Sequence, residues 1–230
     1  MSIGFVIGTG RCGTKSMTYV LNEQENVKAE HEMMKCHWEY NDIDIQRNVR
    51  HLLGLVKYND DIDLAVAAAF YFLPYSEMLI EKYNAKIVCL KRAKEEVVDS
   101  YLRKWKNKNQ FSPNNPAVTT SDYKYYIRNY WHFTYPTFKN KDVREATSQY
   151  WDLYYEMSSE FQLRFPSNFR VFDMHSVLNT EKGQVGALEF MGVGATKLLL
   201  NIRLNKLIQK LRKIRWSERG GYIHCGKVYL

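Results

Sequence analysis

The 230-residue chain has only four cysteines and five prolines, and it contains no long apolar run. Each shortage excludes something. Cys12, Cys36, Cys89 and Cys225 lie far apart and form no CxxC pair, so neither a zinc cluster nor a dithiol redox motif is encoded, and reduced thiols in a cytoplasmic setting are expected. No segment reaches the roughly 18 apolar residues of a membrane-spanning helix. The first apolar run begins at Ile3 with no basic leader ahead of it, so neither a secretory signal nor a membrane span is expected. Internal repeats are absent as well.

What is present reads as globular. Hydrophobic residues make up 45% of the chain and charged residues 25%, and at this length one domain over residues 1–230 can bury a sizeable core. The 33 Lys and Arg against 25 Asp and Glu leave a net charge of +8. That balance suits an anionic partner, whether nucleic acid, membrane surface or a highly charged small ligand, and it equally suits a solvated basic surface.

IGFVIG (3–8) is a short β-rich run closed by glycine, and TKSMTYVLNEQ (14–24) puts Met17, Val20 and Leu21 on one helical face. The pattern predicts strand, loop, helix. A second strand is predicted at 26–32 and a helix at 44–58, where Val49, Leu52, Leu53 and Val56 recur at helical spacing. DLAVAAAFYFL (63–73) reads as a buried strand, and Pro74 is expected in the first turn of the helix that follows. KIVCLKR (86–92) is a clear strand and AKEEVVDSYLRKW (93–105) a clear helix. This alternation predicts an α/β fold: a three-layer, P-loop-type domain around a mostly parallel sheet.

An aromatic-rich helical insertion is expected at about 107–165, with a polar loop first and helices at 123–133 and 144–165; Tyr123, Tyr126, Tyr130, Trp131 and Phe133 are candidates for an acceptor pocket or for core. FRVFDM (169–174) reads as a strand and 183–193 as a helix. The basic segment at about 197–230 alternates apolar and basic residues from Lys197, as a docked amphipathic helix or one lying on a membrane surface would.

The most informative stretch is GTGRCGTKS (8–16). A Walker A loop requires Gly-Lys followed directly by Ser or Thr, but here Thr14 stands between Gly13 and Lys15. The loop leads from a strand into a helix, where unpaired N–H groups and the positive dipole end favour anions. Arg11 and Lys15 add charge there, and Thr14 and Ser16 add hydroxyls. A Walker enzyme also needs a strand-end carboxylate for magnesium. KIVCLKR ends instead in Lys91 and Arg92, leaving Asp173 as the remaining candidate.

GTGRCGTKSM resembles the 5′-phosphosulfate loop of PAPS-dependent sulfotransferases, whose bacterial and tyrosylprotein branches read close to G-x-x-R-S-G-T-T. The residue that breaks Walker A is normal in that family. Its second signature, Arg with Ser eight residues later across a strand end and the next helix, matches Arg92 and Ser100. With the late strand and helix included, the resemblance covers most of residues 3–193. It implies that PAPS (3′-phosphoadenosine 5′-phosphosulfate) is co-substrate and PAP the product. The implied contacts are Gly10, Arg11, Cys12, Gly13, Thr14, Lys15 and Ser16 at the phosphosulfate, and Arg92 and Ser100 at the 3′-phosphate. Cys12 stands where the family usually has Ser and Lys15 where Thr is common.

Sulfonyl transfer needs charge stabilisation, assigned here to Arg11 and Lys15, and a base for the acceptor proton. In tyrosylprotein sulfotransferases a Glu at a similar distance past the loop's Arg is the base, which implies Glu32, with His31 beside it as second candidate. His37, His51, His132, His175 and His224 form no ligand-like group, and no metal is expected. The expected activity is transfer of a sulfonyl group to a hydroxyl or amine of a small molecule, carbohydrate or tyrosine, with no nucleic-acid partner; the oligomeric state leaves no sequence signal. A P-loop nucleotide or small-molecule kinase and a non-enzymatic polyanion binder are the alternatives.

Overall fold

The structure, a computed structural model, describes residues 2–32, 42–106 and 143–201. Five strands form one sheet: β1 (Ser2–Ile7), β2 (Val27–His31), β3 (Leu64–Ala68), β4 (Lys86–Lys91) and β5 (Phe169–Asp173). Their spatial order is β2-β3-β1-β4-β5, and every pairing is parallel. β1 sits at the centre between β3 and β4. Covered on both faces, β3 is buried at every residue and β1 and β4 along nearly their whole length, which explains their unbroken apolar runs.

Helices cover both faces. Ile3, Phe5, Ile7, Ala65, Ala67, Ile87 and Cys89 pack against α2 (Asp42–Tyr58), α3 (Ser76–Tyr83), α4 (Lys94–Lys106) and α5 (Val143–Arg164). The alternate residues, among them Val6, Val66, Ala68, Val88 and Leu90, pack against α1 (Thr14–Asn22), α6 (Met174–Asn179) and α7 (Glu181–Phe190). The period of two along each strand thus builds two cores from one sheet. The result is the expected three-layer α/β architecture.

Several boundaries differ from the sequence reading. The strand predicted at 63–73 ends at Ala68, and Phe70–Tyr75 form a 3₁₀ turn that contains Pro74, with α3 starting afterwards at Ser76. Tyr71, Phe72 and Leu73 all enter the same core, which a strand's alternation forbids and a tight turn permits. α6 is an additional short helix; Asp173 caps it, accepting from the Ser176 N–H (2.7 Å).

α5, the last part of the aromatic-rich segment expected at about 107–165, packs directly on one face of the sheet. Its Tyr150, Tyr154 and Tyr155 are core residues. The remainder of the expected insertion, with Tyr123, Tyr126, Tyr130, Trp131 and Phe133, lies outside the described residues, as does the tail beyond residue 201. Residues 197–201, where the basic helical pattern begins, are not helical. Two buried glutamines hold the chain there instead. Gln24 accepts from the Thr196 N–H (2.9 Å) and donates to the Lys197 carbonyl (2.8 Å), while Gln184 accepts from the Leu199 N–H (2.8 Å) and donates to its carbonyl (2.9 Å).

Candidate active site

β1 opens at its carboxyl end into the glycine loop, which is shaped from behind. At Gly8 φ is 148°, and a Cβ would lie 2.4 Å from both Cys12 Sγ and the Leu90 carbonyl oxygen; at Gly10 it would lie 2.1 Å from the Tyr101 hydroxyl. Gly10 is one of the ligand contacts that the resemblance implies. At both positions the space is taken by the protein's own atoms.

α5 supplies the rest of the back wall. The Tyr154 hydroxyl accepts from the Gly8 N–H (3.0 Å) and donates to the Phe70 carbonyl (2.9 Å). Tyr155 donates to the Leu90 carbonyl (2.7 Å) and meets the Thr9 hydroxyl at 3.4 Å; Tyr150 accepts from the Gly10 N–H (3.2 Å). Burial pushes all three phenols well above the usual tyrosine range, so they stay neutral hydrogen-bonding groups. Cys12 belongs to this wall too. Its N–H and its thiol both point to the Thr9 carbonyl, and burial pushes the thiol up to about 12. Neither group is left for the ligand contact assigned to Cys12 from sequence.

The front of the loop is cationic. Arg11 is exposed and holds φ at 77°, a left-handed conformation that costs a non-glycine residue about 1–3 kcal/mol and persists only where its surroundings impose it. Two partners do so. Arg11 Nε donates to the buried Ser100 hydroxyl (3.0 Å), and Arg92 Nη1 donates to the Arg11 carbonyl (3.1 Å). The two motifs, 81 residues apart in the chain, therefore meet at one point. Trp151 fixes the same strand end, its indole N–H donating to the Arg92 carbonyl (2.9 Å) while Lys91 Nζ lies 4.9 Å from its ring centroid.

α1 begins at Thr14 with Gly13 as N-cap, so no side chain caps its first N–H groups and no acidic residue occupies its first turn. An anion fits that vacancy in charge and in hydrogen bonding. Lys15 is exposed there and Ser16 half-buried. The Thr14 hydroxyl lies 3.2 Å from His31 Nε2 at the end of β2. Burial, and secondarily the Lys15 charge, lower the His31 pKa, with Glu32 opposing. Glu32 is exposed and leaves the strand at φ 49°. Glu30 meets His51 Nε2 at 3.3 Å.

Around Arg92 the structure adds residues that the sequence reading passed over. Arg92 Nε donates to Glu96 Oε2 (3.0 Å), the same oxygen that meets His175 Nε2 at 2.6 Å. The signal for Glu96 was its place one helical turn after Arg92; for His175 there was none, because chain folding alone brings it there. Among the described residues no group of three His, Cys, Asp or Glu could hold a metal, and no helix is long and apolar enough to cross a membrane.

No protein-family model and no curated protein sequence matches the chain. Solved structures do. The crystal structure of a sulfotransferase from Alicyclobacillus acidocaldarius superposes with a TM-score of 0.54 at 11% identity, covering 95% of this chain and 92% of that one. The fold is that of a sulfotransferase. Mouse sulfotransferase SULT7A1 complexed with PAP also matches, with a TM-score of 0.46 at 13% identity over 94% of this chain and 65% of that one. Within the sulfotransferase fold, the glycine loop, His31 and Arg92 stand at the carboxyl ends of β1, β2 and β4 along one rim of the parallel sheet, where open α/β sheets bind ligands.

Proposed function

We propose that the chain is a PAPS-dependent sulfotransferase. The observation that carries this reading is the meeting of the two signatures: Arg11 on Ser100, and Arg92 on the carbonyl of Arg11. The pairing of β1 with β4 brings the two motifs side by side, and the hydrogen bonds between them place both groups of cations on one face where a single ligand can meet them. The residues fit a nucleotide with two separate anionic groups. An uncapped helix start, the Lys15 and Arg11 charges and the Thr14 and Ser16 hydroxyls suit a phosphosulfate, and the partly exposed Arg92 suits a second phosphate.

When bound, PAPS would supply a sulfonyl group joined to a phosphate leaving group. The chain's own part is to hold and to deprotonate. The first-turn amides of α1 with Arg11 and Lys15 stabilise negative charge that builds on the leaving oxygens. For the base, Glu32 and His31 remain the candidates, and the geometry favours His31. Its Nε2 is turned to Thr14 in the loop, and its lowered pKa keeps the ring neutral and able to take the acceptor's proton. Glu32, exposed beside it, holds the opposing charge. The acceptor would be a hydroxyl or amine of a small molecule, carbohydrate or tyrosine.

A kinase would need Asp173 as a magnesium ligand, but that carboxylate caps α6. Thermal denaturation separates the two readings. PAP should raise the melting temperature well above the shift produced by ADP at the same concentration. Equal shifts, or a larger one with magnesium-ATP, would remove the PAPS assignment.

A further inference from the structure

The guanidinium of Arg92 is pinned at two corners. Nε donates to Glu96 and Nη1 to the Arg11 carbonyl, while Nη2 has no partner among the described residues. Because the group is planar, fixing two corners fixes the direction of the remaining donors. An exposed pair one helical turn apart does this poorly by itself, since two long side chains must be ordered in water. Here the carboxylate is fixed from a second element. His175, at the start of α6, meets the same Glu96 oxygen, and Asn179 Nδ2 lies 3.4 Å from His175 Nδ1. With Nδ1 accepting from Asn179, Nε2 carries the hydrogen and donates to Glu96.

The neighbouring charges on α4 are engaged elsewhere. Arg144 takes Glu95 (2.9 Å) and Asp99 (3.0 Å), and Asp152 takes Lys94 (2.6 Å). Glu96 is thus the carboxylate of α4 that is committed to Arg92. The hydrogen bond from His175, followed by that from Arg92, holds its carboxyl below the usual glutamate range, so it remains an ionised acceptor.

We propose that Glu96, braced by His175, is a positioning residue that aims Arg92 at the 3′-phosphate of the nucleotide and so sets selectivity for 3′-phosphorylated ligands. This rests on the PAPS reading of the site. A carboxylate placed to attract an anion would be self-defeating. One placed to orient the guanidinium, its charge shared with His175, is not.

The test is the ratio of dissociation constants for 5′-AMP and PAP, which differ only in the 3′-phosphate, measured by calorimetry on the full chain. Glu96→Ala should lower that preference for PAP about tenfold, as loss of one charge-assisted contact does. His175→Ala should lower it by a smaller factor, roughly threefold, and should add nothing to Glu96→Ala. Glu96→Gln, whose carbonyl still accepts from Nε, should keep the ratio within about twofold. A purely structural role for Glu96 would weaken both nucleotides alike and leave the ratio unmoved, which overturns the inference, as would a rise in the ratio. If Glu96→Ala does not fold, His175→Ala decides by the same criterion. A wild-type ratio near one would overturn the PAPS reading together with the inference; a selective wild type with an equally selective Glu96→Ala overturns the inference alone.

Discussion

The two sides of the glycine loop are built by opposite means. Behind it, Gly8, Gly10 and Cys12 press against Tyr101, Tyr150, Tyr154 and Tyr155 in a buried, neutral, hydrogen-bonded wall. In front, Arg11 and Lys15 are exposed, Arg92 is partly so, and the first N–H groups of α1 lack a capping side chain. The back fixes shape and the front offers charge. Substitutions behind the loop should therefore cost stability, and those in front should cost binding.

The sharpest break is expected at Gly8. In Gly8→Ala the new methyl meets a backbone carbonyl oxygen that cannot rotate away, in a region of φ closed to alanine, so the loss should be about 3 kcal/mol or more by urea unfolding. Arg92→Ala tests the other side. PAP affinity should fall roughly 10- to 100-fold while stability changes by less than about 1 kcal/mol, because the arginine's protein contacts are partly solvated. If both variants lose stability equally, the division is false.

Tyr154→Phe should cost about 1–3 kcal/mol, since it removes one buried hydroxyl and strands both the Gly8 N–H and the Phe70 carbonyl. The smallest effect concerns pH. The folded-state pKa of His31 is lowered, so the unfolded chain takes up its proton first; the stability from a neutral His31 is full above the unfolded pKa and is lost as pH falls through the folded one. Urea midpoints measured down through and below the ordinary histidine range should therefore fall, and less steeply in His31→Gln. If His31 is the base, the acidic limb of kcat/KM lies in that same lowered range.

The front of the site was legible because its chemistry is local. GTGRCGTKS carries the proposed anion loop within nine residues, and Arg92 with Ser100 spans one strand end and two helical turns. The strands were legible for a similar reason: IGFVI and IVCL are long enough in apolar residues to demand burial on both faces. What stayed hidden depends on distant residues. The tyrosines of α5 were visible as an aromatic stripe, but nothing in their spacing says that their hydroxyls reach the amides of residues 8 and 10. Glu96 and His175 are likewise unremarkable until α6 folds back beside α4. Cys12, which stands where the family usually has Ser and is implied as a phosphosulfate contact, turns inward because Gly8 leaves room for its sulfur.

The Tyr154 hydroxyl bonds to an amide 146 residues earlier in the chain. Closing so long a span is entropically expensive, and that cost is met only when the elements at its two ends pack together. The glycine loop should therefore acquire its final shape only when α5 docks. Anion binding would thus report on assembly of the whole domain, and the Gly8 amide should exchange its hydrogen only when α5 lets go.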